Sequence, residues 1–535
     1  MAIRIIPEYP IELNYPRMRR RDLLKATAAA AAGRELRADV PAHLWGGYDF
    51  GSGPRVTDRL NQGPFGIEQD EGWFTLAATT SSERPAPNFG LGLVGYAWEE
   101  GGASLAVRTG RESLEQHVEK MASLPFVDVL YIRCDWRDVQ KRPGRLELSP
   151  VWDLTLDAAK RHGRRVAFRV MLSNTIGQPR YLAMPDFVRD RVPIVEIGSL
   201  KEYGAYQFRE PRYDHPEFQK AFRNLVELLA AEFDSNPLIE WIDLMQYGFW
   251  GESHTGGLPH PFPDYVTAER TMVSMTQLQL DSFRRAQLAV NTQPDISNVG
   301  NREVVDMCVR AGAWLRTDSI LVEEPEQIES LANRPAWLAA ILEDGYFRKY
   351  DSAAPGYLPM DRAGVNMLEV EMLHVLDIGG NYWSLWTETD NLARYHERFP
   401  RAFTRLGQRM GYRLRPSWIW QRKRYGANEL VVAFANDGVA GVPGVLRVNL
   451  KTPDGKVIAG GALDAGHPYG GKLRQAAFLV PRELEGRPVN LAAEIETKSG
   501  IRRPVRWACE QPLEPDGAFR IEVKKQSDPD WRKGV

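Results

Sequence analysis

Residues 239–254 read IEWIDLMQYGFWGESH. The first half is crowded with apolar side chains, as expected of a parallel strand covered on both faces. The second half gathers Gly248, Trp250, Gly251, Glu252 and His254. A strand that is apolar along its length and rich in chemistry at its carboxyl end suits a β/α barrel, where active sites form at the carboxyl ends of the strands. The stretch therefore predicts a buried strand that runs into two glycines and ends in the carboxylate of Glu252.

The same alternation of apolar strand, polar loop and amphipathic helix recurs on both sides. Before it, strands are predicted at Leu91–Trp98, Val127–Ile132 and Arg165–Leu172, with helices at Ser113–Leu124, Val151–His162 and Glu217–Phe233. After it come strands at Leu288–Val290, Trp314–Leu321, Pro335–Leu342 and Tyr382–Trp386. Helices are predicted at Thr267–Gln287, Glu303–Ala311, Val365–Ile378 and Leu392–Met410, and one begins at Pro325–Leu331. Eight such units across residues 88–414 predict a (β/α)8 TIM barrel. A doubly wound open sheet is the alternative, but no glycine-rich phosphate loop follows the first strand. The excursion from Thr175 to His215 is too long for an ordinary βα loop and reads as a lid or binding loop.

Near Pro416 the period changes. Short strand-like runs at Glu429–Ala435, Gly444–Leu450, Ala476–Val480 and Val489–Glu496 are separated by turn residues, which predicts an all-β sandwich over residues 415–535. Residues 34–87 are rich in Gly and Pro and predict a strand-containing arm packed on the barrel. Arg19-Arg20-Arg21-Asp22-Leu23-Leu24-Lys25, followed by small residues to Gly33, resembles a twin-arginine export signal. On that reading residues 1–33 are removed and the protein works in the periplasm or outside the cell. A short basic, alanine-rich helix is the other reading.

A chain of 535 residues is long enough for two or three domains. Its net charge of −2 argues against a nucleic-acid partner, which would need a concentrated basic surface. No run approaches the roughly 20 apolar residues of a membrane span. Cys134, Cys308 and Cys509 are far apart and show no metal-ligand spacing, so no zinc and no disulfide framework is assigned, and one disulfide stays open. No cofactor is expected. Nothing in the sequence speaks to oligomeric state.

The chemistry is sought in two carboxylates. Glu252 at the end of strand four and Glu343 at the end of strand seven are predicted to share one mouth of the barrel. Glycosidic bond cleavage needs such a pair, one to protonate the leaving oxygen and one to attack the anomeric carbon. Their surroundings must hold one protonated and the other ionised. Glu323, Glu324 and Glu388 are further acidic candidates.

Tyr-Ile-Arg-Cys-Asp-Trp at 131–136, with Trp152 after a Gly-containing turn, resembles the clan A retaining glycoside hydrolases, which include the β-galactosidases of family 42 and the glycanases of family 5. Residues 247–254 and 315–318 resemble a β-galactosidase-like group with a barrel followed by a β-sandwich. The resemblance implies a carbohydrate substrate, Glu252 as acid/base and Glu343 as nucleophile. Clan A usually has Asn before the strand-four Glu to hold the sugar 2-hydroxyl. Here that residue is Gly251, and Asn174 and Asn291 are the candidate replacements.

Other mouth residues have two readings each. Arg133 and Asp135 brace the mouth as an ion pair, or Arg133 keeps the nucleophile ionised. Arg316 and Asp318 bind a substrate hydroxyl or each other, and Glu343 itself could pair with Arg316 or cap a helix. His254 is catalytic or supports a catalytic group. Trp136, Trp250 and Trp386 are sugar-stacking walls or core. A carbohydrate-binding barrel without catalysis, a polysaccharide lyase and a scaffold with a filled mouth are the rival functions.

Overall fold

The computed structural model describes residues 74–98, 107, 109–178, 180–201, 206–292, 301–318, 320, 325–344, 367–385, 389–424 and 427–525. The expectations for residues 1–33, Glu323, Glu324, Trp386 and Glu388 lie outside these residues.

Eight parallel strands close into a barrel. In chain order they are β2 (Gly92–Trp98), β3 (Val129–Asp135), β4 (Arg165–Met171), β7 (Ile239–Asp243), β8 (Leu288–Asn291), β9 (Trp314–Thr317), β10 (Ala340–Glu343) and β11 (Tyr382–Leu385), and β11 returns to pair with β2. Local chemistry sets the helix ends. Ser113 and Gln116 form a reciprocal capping box at the start of Leu114–Ser123, and Gly163 ends Pro150–His162 in the left-handed conformation at φ 63°.

Several boundaries differ from the sequence reading. β7 stops at Asp243, where its pairing with Leu288 and Ala289 of β8 ends, so Glu252 lies nine residues beyond the strand rather than at its tip. β3 runs on to Asp135 because it stays paired with β4 as far as Met171. β9 ends at Thr317, short of Leu321. The predicted closing helix is two helices, Thr389–Arg398 and Pro400–Arg409, broken where Pro400 lacks an amide hydrogen. The long excursion holds a short helix, Asp186–Arg189, and a hairpin of β5 (Ile194–Gly198) and β6 (Phe208–Pro211).

The carboxyl-terminal region is antiparallel. One sheet has the order β1 (Phe74–Ala78), β12 (Leu414–Arg424), β13 (Ala427–Asn436) and β16 (Leu473–Val480). The other holds β15 (Val457–Ala462), β14 (Val445–Lys451), β17 (Pro488–Glu496) and β18 (Arg502–Val505), with β19 (Phe519–Glu522) also on β17. The described strand of the arm pairs with Trp418–Gln421 of the sandwich, and the residues after it meet Gln408 and Arg413. β12 escapes the sequence reading because Pro416 interrupts it, which the register shift between Pro416 and Trp418 accommodates as a bulge. Cys134, Cys308 and Cys509 are free and buried. Among the described residues no helix is long and apolar enough to cross a membrane.

The sandwich closes one end of the barrel. Phe89, Trp241, Trp314 and Tyr382 fill the barrel interior and belong to the same apolar cluster as the sandwich core. Trp241 and Tyr382 lie 4.8 Å apart, Phe89 and Trp314 5.2 Å, and each fully buried ring contributes roughly 2–3 kcal/mol. The contacts of the sandwich fall before the barrel strands: Tyr412 donates to Phe89 O, and Ser499 Oγ to Arg285 O. That end also buries an ion pair, Glu240 with Arg165, which takes Tyr382 OH and Gly90 N as further donors, and it is plugged, so an open site can form only at the carboxyl-terminal mouth.

Candidate active site

Glu343 is the last residue of β10 and points inward, where three groups donate to its Oε1: Tyr96 OH from β2, Arg316 Nη2 from β9 at 2.7 Å, and Arg133 Nη1 from β3 at 3.3 Å. Arg316 also donates to the Tyr96 hydroxyl at 3.1 Å. Glu252 reaches the same place from the turn after β7. Its Oε1 accepts from Arg133 Nη2 and from Arg169 Nη1, the latter at 2.8 Å. One guanidinium thus bridges both carboxylates. Arg133 and Arg169 are both buried, so every charge at this level has to be met by another.

Glu252 is delivered by a stitched turn. Phe249 N donates to His254 O at 2.7 Å, Ser253 N to Tyr247 O at 3.1 Å and Glu252 N to Phe249 O at 3.0 Å. The turn needs left-handed backbone at Gly248 (φ 77°) and Gly251 (φ 72°), and also at the non-glycine residues Trp250 (φ 55°) and Ser253 (φ 62°). Strain of this kind persists where the surroundings over-determine it, and it concentrates at functional sites. A Cβ on Gly248 would sit 2.1 Å from His254 O. Gly248→Ala is therefore expected to open the turn, lowering stability by at least ~2 kcal/mol in a urea melt and removing Glu252 from the mouth.

A third carboxylate, Asp318, lies just past β9, and one oxygen of each of Glu252, Asp318 and Glu343 is within 4.8 Å of the others. A divalent cation would take such a set, but Arg133, Arg169 and Arg316 already donate to the oxygens of Glu252 and Glu343 and compete for them. The residues fit a guanidinium-buffered carboxylate cluster better than a metal cage.

The electrostatics separate the carboxyls. Burial pushes Glu252 up, but the Arg133 charge, the His254 hydrogen bond and Arg169 outweigh it, and the group sits below the usual carboxylate value. Asp318 moves the other way, raised by burial and then by the charge of Glu252. Burial, then the Glu343 charge, lifts the Tyr96 phenol well above its ordinary value, so it stays a proton donor. His254 accepts from Gly256 N at its Nδ1 (3.1 Å), which assigns the ring proton to Nε2, 3.5 Å from Glu252 Oε2.

The structure brings most of the expected residues together. Asn174 donates to Asp135 at 2.9 Å and Asn291 to Asp318 at 2.6 Å, so both amides are oriented at the mouth by carboxylates. Arg316 is 3.9 Å from Asp318 and closer to Glu343. Trp250 is part-buried beside His254, with ring centroids 5.5 Å apart. Trp136 offers no face to a sugar: it is fully buried at the start of helix Trp136–Val139, against Phe218 and bonded to Gln140.

Four participants carry no assignment from the sequence. Asp243, the true end of β7, accepts from Tyr131, from Trp241 Nε1 at 2.9 Å and from Arg169 Nε at 3.3 Å. Arg169 and Tyr96 were visible as polar residues at inward positions of buried strands, and Asp243 as the acid two residues beyond Trp241 in IEWID. Glu210 on β6 carried no such signal. It is fully buried, accepts from Ser173 Oγ and from Tyr213 OH at 2.6 Å, and burial pushes its carboxyl up to about 7.

No family model and no curated protein matches this chain. Similar solved structures are glycoside hydrolases. The exo-β-1,4-mannosidase of Opitutaceae bacterium strain TAV5 is 12% identical over 60% of this chain and 55% of its own, with a TM-score of 0.35. The cold-adapted β-galactosidase of Rahnella sp. R3 is 12% identical over 61% of this chain and 57% of its own, at 0.39. The xylanase XynB of Paenibacillus barcinonensis is 14% identical over 55% of this chain and 83% of its own, at 0.31. This chain thus spans little more than half the length of the first two. Likeness at this level carries no argument about sugar or mechanism, and the functional reading rests on the carboxylates, guanidiniums and turn at the mouth.

Proposed function

We propose that the barrel hydrolyses a β-linked glycoside with retention of configuration, Glu343 acting as nucleophile and Glu252 as acid/base. The supporting observation is the spacing: the two carboxylates approach within 4.8 Å, oxygen to oxygen, at the carboxyl-terminal mouth. Retaining pairs stand about 5–5.5 Å apart, whereas inverting pairs stand about 6.5–9.5 Å apart to admit a water. Glu343 attacks the anomeric carbon while Glu252 protonates the departing oxygen. Water, deprotonated by Glu252, then displaces Glu343 and restores both groups. Arg133 and Arg316 offset the nucleophile's charge and, with Tyr96, fix its orientation. The galactoside specificity and the export of the protein rest on the sequence resemblances.

Because Glu252 is held low in the sugar-free site, its acid form is a minority at neutral pH. kcat/KM reports the free enzyme, so it is expected to rise as pH falls toward that lowered value and to give an acidic optimum. The same low setting favours a second assignment, in which Glu252 attacks and Asp318, whose carboxyl is raised, supplies the proton.

The test is an aryl β-glycoside panel (galactose, glucose, mannose and xylose) with the product anomer followed by proton NMR, then trapping with the matching 2-deoxy-2-fluoro glycoside. Retained product and a label on Glu343 are expected. A label on Glu252 establishes the second assignment, inverted product ends the retaining mechanism, and ultraviolet-absorbing unsaturated sugars from a uronate polymer would make the protein a lyase.

A further inference from the structure

Glu252 sits in a turn with two left-handed non-glycine residues, and something must hold that turn in register. The hydrogen bonds inside the turn close it on itself but do not aim it at the mouth. From the barrel side Arg169 Nη1 donates to Trp250 O at 3.2 Å, and on the other side two contacts converge on one residue. Gly248 N, at the start of the turn, donates to the Tyr213 hydroxyl at 3.1 Å, and that hydroxyl donates onward to Glu210 Oε2 at 2.6 Å. Ser173, at the end of β4, forms a parallel bridge with Phe249 in the same turn, and its hydroxyl donates to Glu210 Oε1. The hairpin that carries Glu210 also packs Ile197 and Phe208 against Phe249 in a small apolar cluster of its own, with Phe208 and Phe249 rings 5.0 Å apart.

Among the described residues no ion pair involves Glu210, although its carboxyl is fully buried. A buried acid without an ion-pair partner lowers stability, which points to a role other than folding. The two residues whose hydroxyls meet at it touch the turn from two sides, Tyr213 through its hydroxyl and Ser173 through its backbone. Resting on the glycosidase reading above, we propose that Glu210 is a positioning residue: through Tyr213 and Ser173 it sets where Glu252 stands relative to the leaving-group oxygen. It does not touch substrate. When ionised, its carboxylate accepts at both ends from hydroxyls on separate elements, whereas an amide in its place keeps one accepting end and forces one of the two hydroxyls to turn round and accept.

A positioning role for the acid makes a prediction that a purely structural role does not. Phenyl glycosides need proton donation to the leaving oxygen, whereas 2,4-dinitrophenyl glycosides leave without it. kcat/KM reports bond cleavage in the first step for both. Glu210→Gln is expected to lower kcat/KM for the phenyl β-glycoside at least tenfold while leaving the 2,4-dinitrophenyl β-glycoside of the same sugar within twofold. Tyr213→Phe, which cuts the link to Gly248, should shift the ratio in the same direction. Thermal melts and circular dichroism accompany both variants. Equal losses on the two substrates, or no loss on either, in the variants that fold would overturn the proposal. Selective loss of the phenyl substrate in Tyr213→Phe supports it even if Glu210→Gln does not fold, and a folded Tyr213→Phe with an unchanged ratio overturns it. A wild-type protein inert on every activated glycoside overturns the glycosidase reading itself, a result distinct from an active enzyme whose substrate ratio does not move.

Discussion

Glu343→Ala is expected to lower turnover on a phenyl β-glycoside by at least roughly 10^4-fold, and sodium azide is expected to restore cleavage of a 2,4-dinitrophenyl glycoside as the α-glycosyl azide. The anomer carries the argument. With the nucleophile gone, azide enters from the vacated side in one displacement and inverts the centre. In Glu252→Ala the glycosyl-enzyme still forms with an activated leaving group, azide attacks it in a second displacement, and the β-azide results. Product NMR on the two variants therefore assigns both roles. α-Azide from Glu252→Ala and none from Glu343→Ala would exchange the two residues. The Glu343 variant leaves Arg133, Arg316 and Tyr96 without their shared acceptor, so its melting temperature is measured beside its activity.

Arg133→Met is expected to destabilise the fold by about 3 kcal/mol at neutral pH, because it removes the guanidinium that two buried carboxylates share and leaves each with a single arginine, Arg169 on Glu252 and Arg316 on Glu343. The loss should depend on pH. In the wild type the folded Glu252 carboxyl lies below its ordinary 4.5, so it contributes stability that is present above 4.5 and lost as pH falls through the folded value. Removing the Arg133 charge raises the folded value, and that acid-side loss shrinks. Urea melts from pH 3 to 8 should therefore converge for the two proteins on acidification. The alkaline limb of kcat/KM should move upward at the same time, since Glu252 keeps its proton to higher pH. A variant as stable as the wild type at pH 7, with an unmoved limb, would show that Arg169 and His254 alone hold Glu252.

How much of the site was legible depended on how each side chain reaches the mouth. Glu343, Arg133 and Arg316 lie on barrel strands, where period-two alternation decides which way a side chain points. A one-dimensional pattern suffices for these. The Gly and Trp setting of Glu252 marks it in the sequence, but the apolar run alone puts it at a strand end. The strand stops at Asp243, and a turn that depends on Gly248, Trp250 and Ser253 carries the carboxylate back over the barrel. Trp136 fails as a sugar wall for a similar reason: β3 extends three residues further than its apolar run, and the residue after it starts a helix whose face is buried on Phe218.

The amino-acid order by itself determined the alternation of eight strands and helices, the change to antiparallel β-structure after the barrel, and the gathering of candidate site residues at the carboxyl-terminal strand ends, because these follow from local hydrophobic periods and turn residues. Only the tertiary structure decided which charges meet. Arg133 turning to both Glu252 and Glu343, Arg169 joining Asp243 to Glu252, and Glu210 gathering Ser173 and Tyr213 join residues 37 to 210 positions apart where their sequence separation is long. Pairings at that range are set by barrel closure and loop packing, which no local pattern encodes. In a buried site each charge must find a partner, and the closed barrel leaves few within reach.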